Sequence, residues 1–162
     1  MFKKLTSRTD FGFGEKQYQS DQFASRNNKI KHLSVEESAN FLFSTNFRWI
    51  LTYKYAEKEN QVSESEQLFF TLISSEITYN VTNKGVLNWK VSFVKNVFNG
   101  NQNQSIAFEM MDGLSDGINF LTSLNIQTNI GQNLQLNANY EGRLSETSKM
   151  IHTGNISLRA YF

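Results

Sequence analysis

At 162 residues the chain is long enough to bury one core or to build a small barrel. Its charges nearly cancel, at +1 with a pI near 7.9, so neither a nucleic-acid surface nor a basic membrane-binding arm organises it. It has no cysteine, which excludes disulfide frameworks and thiolate metal sites, and no proline, where average usage of about 5% would give roughly eight.

Proline cannot donate to a ladder, so its absence suits long hydrogen-bonded strands. No apolar run approaches the ~20 residues of a membrane-spanning helix. The opening MFKKLTSRTDFGFGEK has an adjacent lysine pair at positions 3 and 4 with no apolar stretch behind it, so it does not read as a signal peptide. Residues 1–32 form a poorly defined N-terminal segment. An additional strand around Asp10 to Tyr18 is weakened by Gly12, Gly14 and the polar run after Phe13. Gly12-Phe13-Gly14 lacks the third glycine of a dinucleotide loop.

From residue 33 to 162 period-two alternation takes over. Leu33, Val35, Ala39, Phe41 and Phe43 share one face, with Glu37 as the misfit. Ser44 to Asn46 reads as a turn, and Phe47, Trp49, Leu51, Tyr53 and Tyr55 resume the apolar face. Phe69, Thr71, Ile73, Ile77, Tyr79 and Val81 follow less cleanly, because Leu68, Phe70 and Leu72 occupy the other face. Asn83-Lys84-Gly85 is a turn in which Gly85 is expected at positive φ. Next come Leu87, Trp89, Val91, Phe93 and Val97, then Ile118 to Ile130, then Leu134 to Tyr140 after a tight Gly131-Gln132 turn. Lys149 to Phe162 closes the series. The expected fold is all-β, an antiparallel up-and-down meander of seven or eight long strands.

Short and long connections alternate: 44–46, 83–85 and 131–132 against 57–66, 99–116 and 144–148. Outer-membrane barrels have this asymmetry. Between Asp116 and Glu141 no residue is charged, and the polar positions are Asn, Gln, Ser and Thr. Such a face suits a hydrogen-bonded barrel interior better than bulk water, where about 25–35% charged residues are usual. Aromatics near strand ends, Tyr53, Tyr55, Phe98, Tyr140, Tyr161 and Phe162, fit an interfacial girdle. The competing expectation is a soluble up-and-down barrel whose apolar face surrounds a small apolar ligand.

The stretch NLQLNANYEGRLSETSKMIHTGNISLRAYF, Asn133 to Phe162, resembles the C-terminal hairpin of large outer-membrane β-barrel proteins from Bacteroidota. It shares their N-L-Q-L strand, Y-x-G-R corner and I-H-T-G strand with a final aromatic, and IAFEMMDGL and the NKG turn fit the same kind of protein. The resemblance implies residence in the outer membrane of a Gram-negative bacterium, contact with the lipid bilayer, and insertion by barrel-assembly machinery. Ile156, Leu158, Ala160 and Phe162 would be the assembly signal that the machinery reads. It further implies that the chain is the C-terminal portion of a longer one, with a structural role in closing or anchoring a barrel.

Few residues suggest chemistry, and neither catalysis nor a cofactor is expected. Arg48, Glu76, Lys90, Arg143 and Arg159 fall on the polar faces and are expected to line a lumen. His152 shares the apolar face with Ile156, and Ser145 and Ser148 are near it in sequence, but no nucleophile-elbow motif accompanies them. An interfacial ring hydrogen-bonded to its surroundings is preferred. Asp112 and Asp116 lack the alternating ligands of a calcium loop, and Glu64 and Glu66 read as solvated loop acids.

Overall fold

The computed structural model describes residues 4–19, 27–62, 66–81, 84–146 and 148–161. Phe162, Glu64 and Asn83 lie outside them. Eight strands form one antiparallel sheet in sequence order: β1 (Lys4–Tyr18), β2 (Asn28–Leu42), β3 (Phe47–Asn60), β4 (Gln67–Val81), β5 (Gly85–Asn99), β6 (Gly117–Asn129), β7 (Leu134–Ser145) and β8 (Ile151–Ala160). The only helix among the described residues is α1 (Ser105–Met110), in the β5–β6 connection. Among the described residues the sheet is open, with no pairing between β1 and β8.

The weak N-terminal strand is a full member of the sheet, paired with β2 from Lys4↔Leu42 to Tyr18↔Asn28, and position 33 falls inside β2. Its glycines do not break it. Gly12 and Gly14 stand across from Ser34 and His32, whose side chains occupy the space a Cβ would need. Glycine here makes room for a neighbour. Gly85 is a correction of the same kind. It is extended at the start of β5, not at positive φ, and a Cβ there would strike the Gln127 carbonyl of β6.

The turns at 43–46 and 130–133 form where their residues predict. The Ser44 hydroxyl accepts the N–H groups of Asn46 and Phe47 at 3.2 and 3.0 Å, and Ile130 N–H donates to Leu134 O at 2.7 Å.

The registers fix which side chains share a face. Glu76 pairs with Lys90, Lys90 with Ser123, and Ser123 with Glu141. One face therefore collects even positions of β1–β5 and odd positions of β6–β8. Lys16 on β1, Lys58 on β3 and Arg143 on β7 all contact the short 109–113 stretch on that face. In a flat sheet β1 and β7 would lie roughly 29 Å apart, at ~4.8 Å per strand. Both can touch α1's segment only because the sheet curls around it. That face is concave.

Leu68, Phe70 and Leu72, the apolar residues on the wrong face of β4, now have a reason. Leu68, Phe70, Val94 and Phe98 of the concave face pack with Ile106, Ala107, Met110 and Met111 of the α1 segment, and Leu72 borders the cluster. Leu68, Ala107 and Met110 are fully buried. Phe98 thus belongs to this inner cluster and not to an interfacial girdle, because it sits one residue out of phase with Val97. Leu68→Ala should lower stability by about 2–5 kcal/mol in chemical denaturation, the usual cost of emptying a packed leucine site. Ile73→Ala, whose side chain is 56% exposed on the convex face, should cost far less.

Candidate functional site

The two faces differ in chemistry. The concave face carries nine basic side chains, Lys4, Arg8, Lys16, Arg48, Lys54, Lys58, Lys90, Arg143 and Arg159, against four acidic ones, Asp10, Glu36, Glu76 and Glu141. The convex face carries three basic (Lys29, Lys31, Lys95) and four acidic (Glu15, Glu37, Glu57, Glu59). In a chain of net charge +1 the positive excess is concentrated inside the curve.

All five predicted lumen charges lie on the concave face. Glu76 and Lys90 stand directly opposite each other without forming an ion pair, and Arg48 faces Thr78, with Nη2 to Oγ1 at 3.5 Å. Arg143 stands across from Leu121, and its guanidinium donates to Gly113 O. Arg159 faces Gln135 near the short-turn end. Closer pairs that the sequence did not single out are Lys54 with Glu36 at 3.3 Å and Arg8 with Asp10 at 2.7 Å. Both pairs are exposed to solvent, which screens them, so they add little to stability.

The α1 segment is tied across this face. Lys58 Nζ donates to Met110 O at 2.7 Å and to the Asp112 carboxylate at 2.8 Å, and Lys16 pairs with Glu109 at 2.7 Å. Asn96 and Asn119 both donate to Ser115 O, and Asp116 accepts the Phe98 N–H at 2.9 Å. Asp112 and Asp116 therefore pin the segment instead of forming an open cation loop, and no three potential metal-binding side chains cluster among the described residues. Glu66 is a further correction: it is buried and accepts a hydrogen bond from Asn60 at 2.6 Å, so it is not a solvated loop acid. Sequence reasoning missed the α1 plug, although Ile106, Ala107, Met110 and Met111 fall at helical spacing.

On the convex face, charges gather at the long-connection rim, apart from Glu37 in mid-strand. There the hydroxyl of Thr9, directly opposite on β1, donates to the Glu37 carboxylate. Both tryptophans satisfy their indole N–H on a hydroxyl of the next strand: Trp49 on Ser75 at 2.9 Å and Trp89 on Thr122 at 3.1 Å. Phe41, Phe43, Phe47 and Trp49 cluster at the β2–β3 turn, with Phe41 and Trp49 centroids 5.3 Å apart. Ile156, Leu158 and Ala160 are exposed on the convex side of β8.

His152 is on the same convex side, its Nδ1 2.8 Å from the Tyr140 hydroxyl. Ser145 points the other way, buried and donating to Asn119 Oδ1 at 2.7 Å. The sheet separates the two, so they do not form a nucleophile–base pair.

Geometrically this is an open β-meander whose polar, positively charged hollow is crossed by a helical plug. Compared with protein-family models, curated proteins and solved structures, the chain matches none of them. Lys58→Gln should loosen the plug, raising cleavage of the 99–116 connection in limited proteolysis several-fold while the strands stay protected. Unchanged cleavage would assign the anchoring to buried Ala107 and Met110 alone.

Proposed function

We propose that the chain is the C-terminal part of an integral β-barrel of the Gram-negative outer membrane, with a structural role in closing and anchoring that barrel around a polar lumen. The observation that carries this reading is the inverted partition: apolar side chains outside the curve, charges and amides inside. A soluble barrel around an apolar ligand needs the opposite arrangement. Here the apolar part of the hollow is already filled by α1. The convex aromatic and aliphatic residues are left exposed, Phe13 at 88% and Ile156 at 78%, and lipid is the solvent that suits them. Internal satisfaction of the Trp49 and Trp89 indoles, and of Glu37 by Thr9, also suits a surface that cannot bond to water.

The open edges of β1 and β8 bear on partners. Lipid does not tolerate unpaired strand edges, so in this reading strands from the remainder of a longer chain complete the ladder. The assembly machinery would read Ile156, Leu158, Ala160 and Phe162 of the final strand.

Neighbouring residues on opposite faces of β6 test the environment. Leu124→Arg should block insertion into outer-membrane lipid, at about 2–4 kcal/mol near the midplane, whereas Asn125→Arg should insert nearly as the parent does. Equal partitioning of both variants into detergent-free buffer would replace the membrane reading with the soluble one. Deleting Phe162 should reduce the yield in native membranes more than the stability of refolded protein. A normal membrane yield would remove the assembly-signal role.

A further inference from the structure

Two cavities on the sheet meet at Leu72 and Lys90 of the concave face. One, of about 380 Å³, extends toward His32 on β2; the other, of about 530 Å³, extends toward Thr153 on β8. Each is within the size range of small-molecule sites.

Ser74 and Ser92 stand directly opposite each other, one on each side of this junction. They are only 4% and 5% exposed, and neither hydroxyl has a hydrogen-bond partner among the described residues. Neither hydroxyl is among the buried side-chain atoms left without a partner, so both stay open to the cavities and can donate to a solute there. Lys90 precedes Ser92 by two positions and projects from the same face without an ion pair among the described residues. Lys54 lines the first cavity and Arg143 the second.

The acids around the groove do not cancel these cations evenly. Glu36 is engaged by Lys54 and Asp112 by Lys58, while Glu76 and Glu141 share the Lys90 row. Against the nine bases of the concave strands stand six acids in all, four on the strands and Glu109 and Asp112 of the α1 segment, and a hollow with low-dielectric walls focuses that excess.

We infer that the groove where these two cavities meet binds a small solute bearing a carboxylate or phosphate, with Lys90 supplying the charge and the Ser74 and Ser92 hydroxyls donating to its oxygens. Lys54 and Arg143 flank the anion, and the apolar floor at Leu72 accommodates the rest of the solute. This goes beyond the structural role proposed above and rests on it only in that the hollow opens to solution.

The test is calorimetric titration of the folded protein, in detergent where it needs detergent, with inorganic phosphate, acetate and neutral glucose at constant salt. Saturable binding of phosphate, of acetate, or of both is expected, and the stronger of the two identifies the anion class. Lys90→Gln should weaken it at least tenfold, and the Ser74→Ala/Ser92→Ala double variant several-fold, with circular dichroism and melting unchanged. Lys95→Gln, on the convex face, should leave it as it was. No saturable heat with either anion, glucose binding as tightly, or equal weakening by Lys95→Gln would each overturn the site. The membrane reading fails separately, if the protein stays dispersed without detergent, and the titration then decides the anion site in plain buffer.

Discussion

The structure depends on one constraint: a strand must send successive side chains to opposite faces, and an uninterrupted ladder carries that alternation from strand to strand. With Glu76 set against Lys90, the continuous pairing from β1 to β8 assigns every residue to the hollow or to its outer surface. A slip of one residue in β5 would move Trp89 and Phe93 inward and expose Lys90 and Ser92 in their place. The absence of proline keeps the ladder unbroken, and the strand glycines sit where a neighbouring side chain or carbonyl comes close.

The second determinant is the α1 segment, which breaks the polar rule of the inner face and is itself the compensation. Six helical residues are too few to be stable alone, so their order comes from burial of Ala107 and Met110 against Leu68 and from contacts with β1, β3 and β7. The dependence is mutual. Without the helix, Leu68, Phe70, Val94 and Phe98 would form an apolar patch in an otherwise charged hollow. By touching strands on both flanks, the segment also links the curvature of the sheet to its own packing.

Much of this was legible in the sequence, because period two is a local signal. The all-β meander, its short and long ends, the 44–46 and 131–132 turns and the face of each predicted lumen charge follow from alternation alone. The failures have a common cause in contacts between residues far apart in sequence. Gly12 and Gly14 read as strand breakers because Ser34 and His32 across the ladder cannot be seen locally. Phe98 read as a girdle residue and Leu68 as an irregularity because their partner, α1, lies in a connection between other strands. Glu66 looked solvated because its acceptance of the Asn60 amide depends on how the β3–β4 connection closes.

Satisfaction of polar groups distinguishes the two faces as sharply as hydropathy does. On the outer surface the groups that would be costly in an apolar medium are paired within the sheet: both indoles, the Glu37 carboxylate and the His152 ring. On the inner surface, the buried side-chain carbonyl oxygens of Asn40 and Asn96 have no partner among the described residues. A surface selected for lipid would need the first pattern. A hollow that admits water or a solute can keep the second, because its occupant completes the bonding. The two proposals therefore draw on the same requirement, that a polar group out of water must be bonded, applied to opposite sides of one sheet.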